Sequence, residues 1–260
     1  MTAAASEPRV RFERIQQLRA HESVADQIRR HIELRLIGSG EALPSERELA
    51  SLFGVGRTTV QHALRLLERD HLVETRRGRS GGTFVSQPAD DAQVRAGVIQ
   101  RIRRRRDDIE QILVYRSTLE PGVAALAAGA RSGNDLAAMR RELARMADAS
   151  TELDYMRSDT EFHLAVARAT GNGYLVRSIE EIRAQLNDAI GLLPETDAWH
   201  RRLSEEHDGI IAGIELGDEG KALDAMAEHV EASNRGIRAT LDAIHRRRGR
   251  ATSTRKEERE

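Results

Sequence analysis

The stretch from Leu43 to Leu64 constrains this chain more than any other. Pro44 precedes Ser45, a good helix cap, and Glu48 stands at the spacing that closes a capping box. The helix so opened is short, because Phe53-Gly54 follows and Gly54 suits the sharp turn between paired helices. A further helix is predicted from Arg57 to Arg69. Its Val60, Ala63, Leu64 and Leu67 fall at i, i+3, i+4 and i+7 and face inward. Thr58, His62, Arg65 and Arg69 point the other way, flanked by Gln61. Small, polar and basic side chains at the start of the second of two paired helices are what a DNA-reading helix carries.

The flanking segments extend this into a domain over residues 21–87, after a loosely ordered arm over 1–20. A helix from about His21 has the stripe Val24, Ile28, Ile32 and Leu36, and Gly38-Ser39-Gly40 stops it. Beyond Asp70-His71, the runs Leu72–Thr75 and Thr83–Val85 read as two strands around the basic, glycine-rich turn Arg76–Gly82. Three helices and a hairpin in this order make a winged helix-turn-helix. An unrelated small α+β domain has no reason to concentrate basic residues at the helix and the wing, the two places such a domain touches DNA.

Composition says what the remaining two thirds can be. Charged residues are 32% and aromatics 3% of the 260 residues, with many Ala, Leu, Glu and Arg, which points to a mainly α protein. There is no cysteine, which excludes disulfides and thiolate-bound zinc and fits a cytoplasmic protein. No apolar run approaches the ~20 residues of a membrane span. The net charge of −1 means that DNA binding must come from a local patch rather than a global positive field.

Residues 88–106 read as the interdomain linker. Its Arg101 and Arg103–Arg106 fit a solvated helix face better than a phosphate contact. Helical periodicity then runs over 107–130, 133–148, 151–170, 173–193, 196–216 and 218–245, an all-α antiparallel bundle. Pro194 closes one of these helices, and the charged tail 246–260 is expected to be disordered.

Within the bundle, four polar residues stand where apolar ones belong. Asp159 and His163 share a face with Met156 and Val166. His207 lies on a stripe with Leu203, Ile210 and Ile214, and His229 with Ala222 and Met226. One buried histidine is ordinary. Three on different helices, with an inward aspartate, would together cost several kcal/mol if unpaired. A divalent metal ion satisfies all four: Zn first, with Ni, Mn, Fe or Co also compatible with His and carboxylate ligands. Arg116 also falls on a buried stripe, four residues after Ile112, with Glu120 four further on. The two can form an internal ion pair, or Arg116 can hold the carboxylate of a small acid whose other oxygen meets the metal.

Residues 21–87 resemble the GntR family of bacterial regulators. The resemblance rests on Leu43-Pro44-Ser45-Glu46-Arg47-Glu48-Leu49-Ala50, on Val55, Arg57, Thr59 and Val60, and on Arg77-Gly78-Arg79 with Gly81-Gly82-Thr83-Phe84-Val85. It implies that Arg47, Arg57 and Thr58 or Thr59 contact DNA, with Arg77 and Gly78 reaching it from the wing. Each lone arginine can equally anchor a phosphate or simply be solvated. Gln61 and His62 depart from the family pattern, and glutamine prefers adenine, so the operator is expected to differ there.

Residues 107–240 are similar to the FCD domain of the FadR subfamily. The matching residues include Tyr115-Arg116, Leu119-Glu120, Asp159, Phe162-His163, Gly171-Asn172, Glu206-His207 and Gly217-Asp218 through His229. This implies a homodimeric regulator, not an enzyme, whose double-stranded operator binding answers to a small organic acid at a metal site. Two other readings stay open. The metal can be purely structural, or the bundle can be a metalloenzyme fused to a DNA-binding domain.

Overall fold

A computed structural model of the chain describes residues 19–78, 81–86, 91–193 and 197–257. The expected arm falls almost wholly outside the described residues, as do Arg79 and Ser80 of the wing, Pro194, and 258–260 of the tail.

The N-terminal part comprises α1 (Ala20–Glu33), α2 (Glu46–Phe53), α3 (Arg57–Arg69), β1 (Val73–Arg76) and β2 (Gly82–Val85). The Ser45 side chain accepts from the Glu48 amide at 3.3 Å, and the Glu48 carboxylate accepts from the Ser45 amide at 2.8 Å. Gly54 closes α2 in the left-handed region at φ +64°, which costs a glycine nothing. The inward face of α3 is Val60, Ala63, Leu64 and Leu67, packed with Val24, Ile28 and Leu49. β1 and β2 pair antiparallel with Val73 opposite Val85.

α1 stops sooner than its apolar stripe suggests. Leu34 takes the buried place, and the chain reverses at Arg35, whose φ is +59°. The amides of Leu36 and Ile37 both return to the His31 carbonyl, at 2.9 and 3.3 Å. Gly38 therefore does not end the helix. It lies where a Cβ would sit 2.1 Å from Leu153 Cδ2, so its lack of a side chain lets the two parts of the chain meet.

The rest is α4 (Asp91–Arg104), α5 (Arg106–Ala130), α6 (Gly133–Ala147), α7 (Glu152–Ala169), α8 (Gly173–Ile190), α9 (Asp197–Leu216) and α10 (Glu219–Glu257). α5 packs along α10 and α9, and α6 along α7, around Leu113, Phe162, Ile182, Ile210 and Ile214. One expectation, that of a disordered tail, needs correction, and the linker is more ordered than a mere connection. The linker contains a helix, α4, whose Val98 and Ile102 join the bundle core. Its basic run, with the two arginines that follow, keeps Arg101 and Arg104 exposed, as expected of a solvated helix face, and also pairs with the bundle. Arg101 bonds Asp188 at 2.9 Å, Arg103 the Ile244 carbonyl at 2.8 Å and Arg106 Asp242 at 2.6 Å. The tail, in turn, is helical as far as Glu257, because α10 continues through it.

α7 and α8 carry the contacts to the N-terminal part. Arg157 meets Glu41 at 2.6 Å, Glu180 meets Arg30 at 3.3 Å, and Asp188 meets Arg35 at 3.3 Å. Among the described residues, no helix is long and apolar enough to cross a membrane.

Candidate metal centre and nucleic-acid interface

Three helices bring Asp159, His163, His207 and His229 together. Each is at most 6% exposed, although they come from positions 70 residues apart in the chain. One ring nitrogen from each histidine lies within 4.8 Å of the others. Asp159 Oδ1 turns toward the rings, 3.3 Å from His207 Nε2 and 3.8 Å from His163 Nε2. The edge of Phe162 packs against His207 and His163 and closes the apolar side.

Two carboxylates stand behind the imidazoles. Glu120 Oε2 is 2.7 Å from His163 Nδ1, and Glu206 Oε2 is 3.0 Å from His229 Nδ1. A carboxylate on Nδ1 fixes the tautomer and leaves Nε2 as the free donor, the usual support of a metal-bound histidine. The Glu120–His163 contact is close, but the ring N–H is not aimed squarely at the oxygen. Both nitrogens of His163, both of His207 and Oε2 of Glu120 are buried without a formed hydrogen bond. Such atoms carry a desolvation cost unless something occupies their lone pairs. A divalent cation among them fits this donor set: three imidazoles and one carboxylate, with two supporting carboxylates.

The protonation states suit a cation. Burial alone would raise Glu120, but the Arg116 guanidinium, with His163, outweighs it and holds the carboxyl at about 2. Asp159 follows the same logic: burial pushes it up, Arg183 pulls harder, and it ends well below the usual carboxylate range. Burial pushes His163 down. It pushes His229 further, because a second positive charge among the clustered rings is disfavoured, and the nearby Arg116 guanidinium helps. The site thus favours ionised carboxylates at Glu120 and Asp159 and neutral imidazoles at His163 and His229, the forms a metal requires.

Arg116 and Glu120 form the internal ion pair, Nε to Oε1 at 2.8 Å, both 1% exposed. Arg116 Nη1 reaches Ser233 Oγ at 3.1 Å. Both Glu120 oxygens are thereby turned to protein groups, so Glu120 supports His163 instead of lining the cavity. Arg116 does line it. A cavity of about 430 Å³ opens beside Asp159 and His229, walled by Arg116, Arg183, Arg202 and Arg235 with Tyr155, Leu193 and Leu203. Four guanidinium groups around an apolar floor describe a place for an anion with a carbon skeleton.

Sequence reasoning passed over Arg183 and Ser233 and gave Glu206 no role beyond its place in the resemblance. Arg183 is 1% exposed, with its Nη2 on Asp159 Oδ2. Its signal was available: it follows Ile179 by four on a stripe with Ile182 and Leu186, as Arg116 follows Ile112. Glu206 has no such signal, since its neighbour His207 takes the inward position.

At the other end of the chain, α3 presents Arg57, Thr58 and His62 to solvent, with Thr59 half-buried. Arg47 on α2 and Arg77 and Gly78 in the wing are also exposed. Gly78, at φ +119°, turns the wing. Gln61 is engaged within the domain: its amide donates to Glu46 Oε2 at 2.8 Å, and Arg57 lies 3.6 Å from the same oxygen. The His62 ring packs edge-on against His21 of α1 at 5.6 Å. Gln61 and His62 thus tie the reading helix to α2 and α1, whereas Arg47, Thr58 and Arg77 face outward.

Comparison with known proteins agrees with this division. Residues 20–85 match the model of bacterial regulatory proteins of the gntR family, and residues 111–232 match the FCD domain. The chain is 32% identical over 205 residues to the HTH-type transcriptional regulator LutR of Bacillus subtilis, covering 74% of this chain and 89% of that one. It is 29% identical over 231 residues to the HTH-type transcriptional repressor NanR of Salmonella schwarzengrund, covering 86% and 84%. Among solved structures, E. coli McbR/YncC shares the fold at 18% identity with a TM-score of 0.50, over 86% of this chain and 99% of that one. The chain is a DNA-binding transcriptional regulator, not an enzyme, and belongs to the GntR family, with a winged helix-turn-helix followed by an FCD domain.

Proposed function

We propose that the chain acts in the cytoplasm as a homodimeric repressor, released from or retuned on its operator by a small carboxylate bound at a divalent-metal site. The observation that carries this reading is the convergence of Asp159, His163, His207 and His229, with unpartnered ring nitrogens on His163 and His207, beside an arginine-walled cavity. A metal held there, Zn in first place and Ni, Mn, Fe or Co as alternatives, supplies a Lewis-acidic position for one oxygen of the acid. Arg116 faces the same cavity and supplies a fixed fork for the other. Tyr155, Leu193 and Leu203 take the carbon skeleton.

The repressor direction draws on the likeness to NanR. A dimer places two copies of α3 in successive major grooves of a pseudo-palindrome, about 34 Å apart. The acid shifts the regulator off DNA only through its different affinity for the two dimer geometries. A purely structural metal would leave the adjoining cavity and its arginines without a role.

The test is a thermal-shift screen of small mono- and dicarboxylates on metal-loaded protein, with and without chelator. An acid of the right class at 100 times its Kd adds about 2.7 kcal/mol. That gain should vanish with chelator and in His207→Ala, which should also lose bound metal while keeping its helical content. Unchanged metal occupancy in His207→Ala overturns the ligand assignment.

A further inference from the structure

Arg183 stands between the candidate ligands and the cavity, and its roles as partner of Asp159 and wall of the cavity have a joint consequence. It is 1% exposed and comes from α8, whereas the four candidate ligands come from α7, α9 and α10. Its Nη2 donates to Asp159 Oδ2 and, at 3.3 Å, to Thr160 Oγ1. Its Nε is buried with no partner. The guanidinium also lines the cavity beside Arg116.

Asp159 is therefore divided. Oδ1 faces His207 and His163, and Oδ2 faces Arg183. A cation among the imidazoles shares that single carboxylate with a guanidinium already bound to it. Two consequences follow from charge alone. The fixed positive charge of Arg183 opposes a second cation on the far side of Asp159. An anion entering the cavity satisfies Arg183, offsets that repulsion, and meets the cation from the open side.

We propose that Arg183 couples the two ligands: it weakens binding of a bare divalent cation and makes the cation and a carboxylate bind cooperatively. This deepens the metal-site reading and rests on it. Coupling of this kind is reciprocal, so the acid tightens the metal by the factor with which the metal tightens the acid. The site then holds metal about tenfold more firmly when the acid is present.

The experiment is calorimetric titration of metal-stripped, full-length protein with Ni²⁺ in chloride buffer, then in acetate at the same ionic strength. Wild-type protein should bind Ni²⁺ about tenfold more tightly in acetate, a coupling within the usual allosteric range. Arg183→Met should bind Ni²⁺ alone about tenfold more tightly than wild type, and acetate should add much less than in wild type, only what the metal and Arg116 still supply. Arg183→Lys keeps the charge without the fork. It should retain the weak bare-cation affinity and recover part of the acetate effect, and it decides the matter if circular dichroism shows that Arg183→Met does not fold. The proposal is overturned if Arg183→Met binds Ni²⁺ no more tightly than wild type, keeps the full acetate effect, or behaves like Arg183→Lys. Failure of wild-type protein to bind Ni²⁺ in either buffer instead removes the metal-site reading, and this proposal with it.

Discussion

Asn187 donates from Nδ2 to the backbone carbonyl of Glu33 at 3.3 Å, across 154 positions of the chain. Asn187 is 1% exposed and lies one turn beyond Arg183 on α8. Its neighbour Asp188 binds both Arg35, at the reversal after α1, and Arg101 of α4. One helix thus holds an arginine of the cavity and the end of the first helix of the DNA-binding part. Rotation or translation of α8 about Arg183 is felt at Glu33 and Arg35.

Asn187→Ala should therefore change the response more than the binding. A lost buried hydrogen bond is worth about 1 kcal/mol, or roughly a fivefold change in the balance between two domain arrangements. Metal content should stay as in wild type. The acid concentration giving half release from an operator recovered by in vitro selection should move about fivefold. Fluorescence anisotropy measures it, and an unchanged midpoint counts against α8 as the connecting element.

Arg57→Ala should abolish specific operator binding and leave the metal in place. Arg57 opens α3, is exposed, and is only loosely engaged with Glu46 at 3.6 Å. A guanidinium contact to a base edge is worth about 1–3 kcal/mol, so affinity should fall about 5- to 150-fold. Gel-shift affinity within twofold of wild type would show that α3 does not read DNA as described. Gln61→Ala should have the milder effect of loosening α3 from α2, because its amide already serves Glu46.

The two carboxylates behind the imidazoles should part company when each is made an amide. Glu206→Gln removes the charge behind His229 at a side chain that is 18% exposed, so the fold should persist while metal affinity drops about tenfold. Glu120→Gln removes the counter-charge of a fully buried Arg116, and breaking such a pair costs about 3–5 kcal/mol. Urea denaturation together with metal titration separates the two. Equal loss of stability in both variants would contradict the burial difference.

The metal-free protein should lose stability as the pH falls through neutrality. Unfolded histidine titrates near 6.5, and burial lowers His163 and His229 below that value. Below about pH 6.5 the unfolded chain therefore takes up protons that the folded chain refuses. Stability then falls with pH by up to about 1.4 kcal/mol per unit for each imidazole. The carboxylates act in a lower window. Glu120 and Asp159 are held below their ordinary values of 4.5 and 3.8, so their contribution is present above those values and lost as the pH falls toward 2. Urea midpoints in chelator between pH 7.5 and 5.5 measure the histidine part. A flat profile would mean that the rings are not held neutral.

Local pattern alone determined much of this protein. The capping residues at Ser45 and Glu48, the bend at Gly54, the inward face of α3 and the starts of the helices from α5 onward follow from periodicity and turn chemistry. The same periodicity exposed Arg116, Asp159, His163, His207 and His229 as polar residues on apolar stripes. A stripe, however, says only that a side chain faces inward, not what it meets there. Whether Glu120 faces a ligand or a histidine depends on where α7 places His163. Whether the arginines of α4 face solvent depends on α8 and α10, which come much later in the chain. The pairing of Arg183 with Asp159 spans two helices whose relative position no local pattern encodes. The tertiary structure decided these partners, because burial removes water as an alternative and leaves each charge only the neighbours that packing provides.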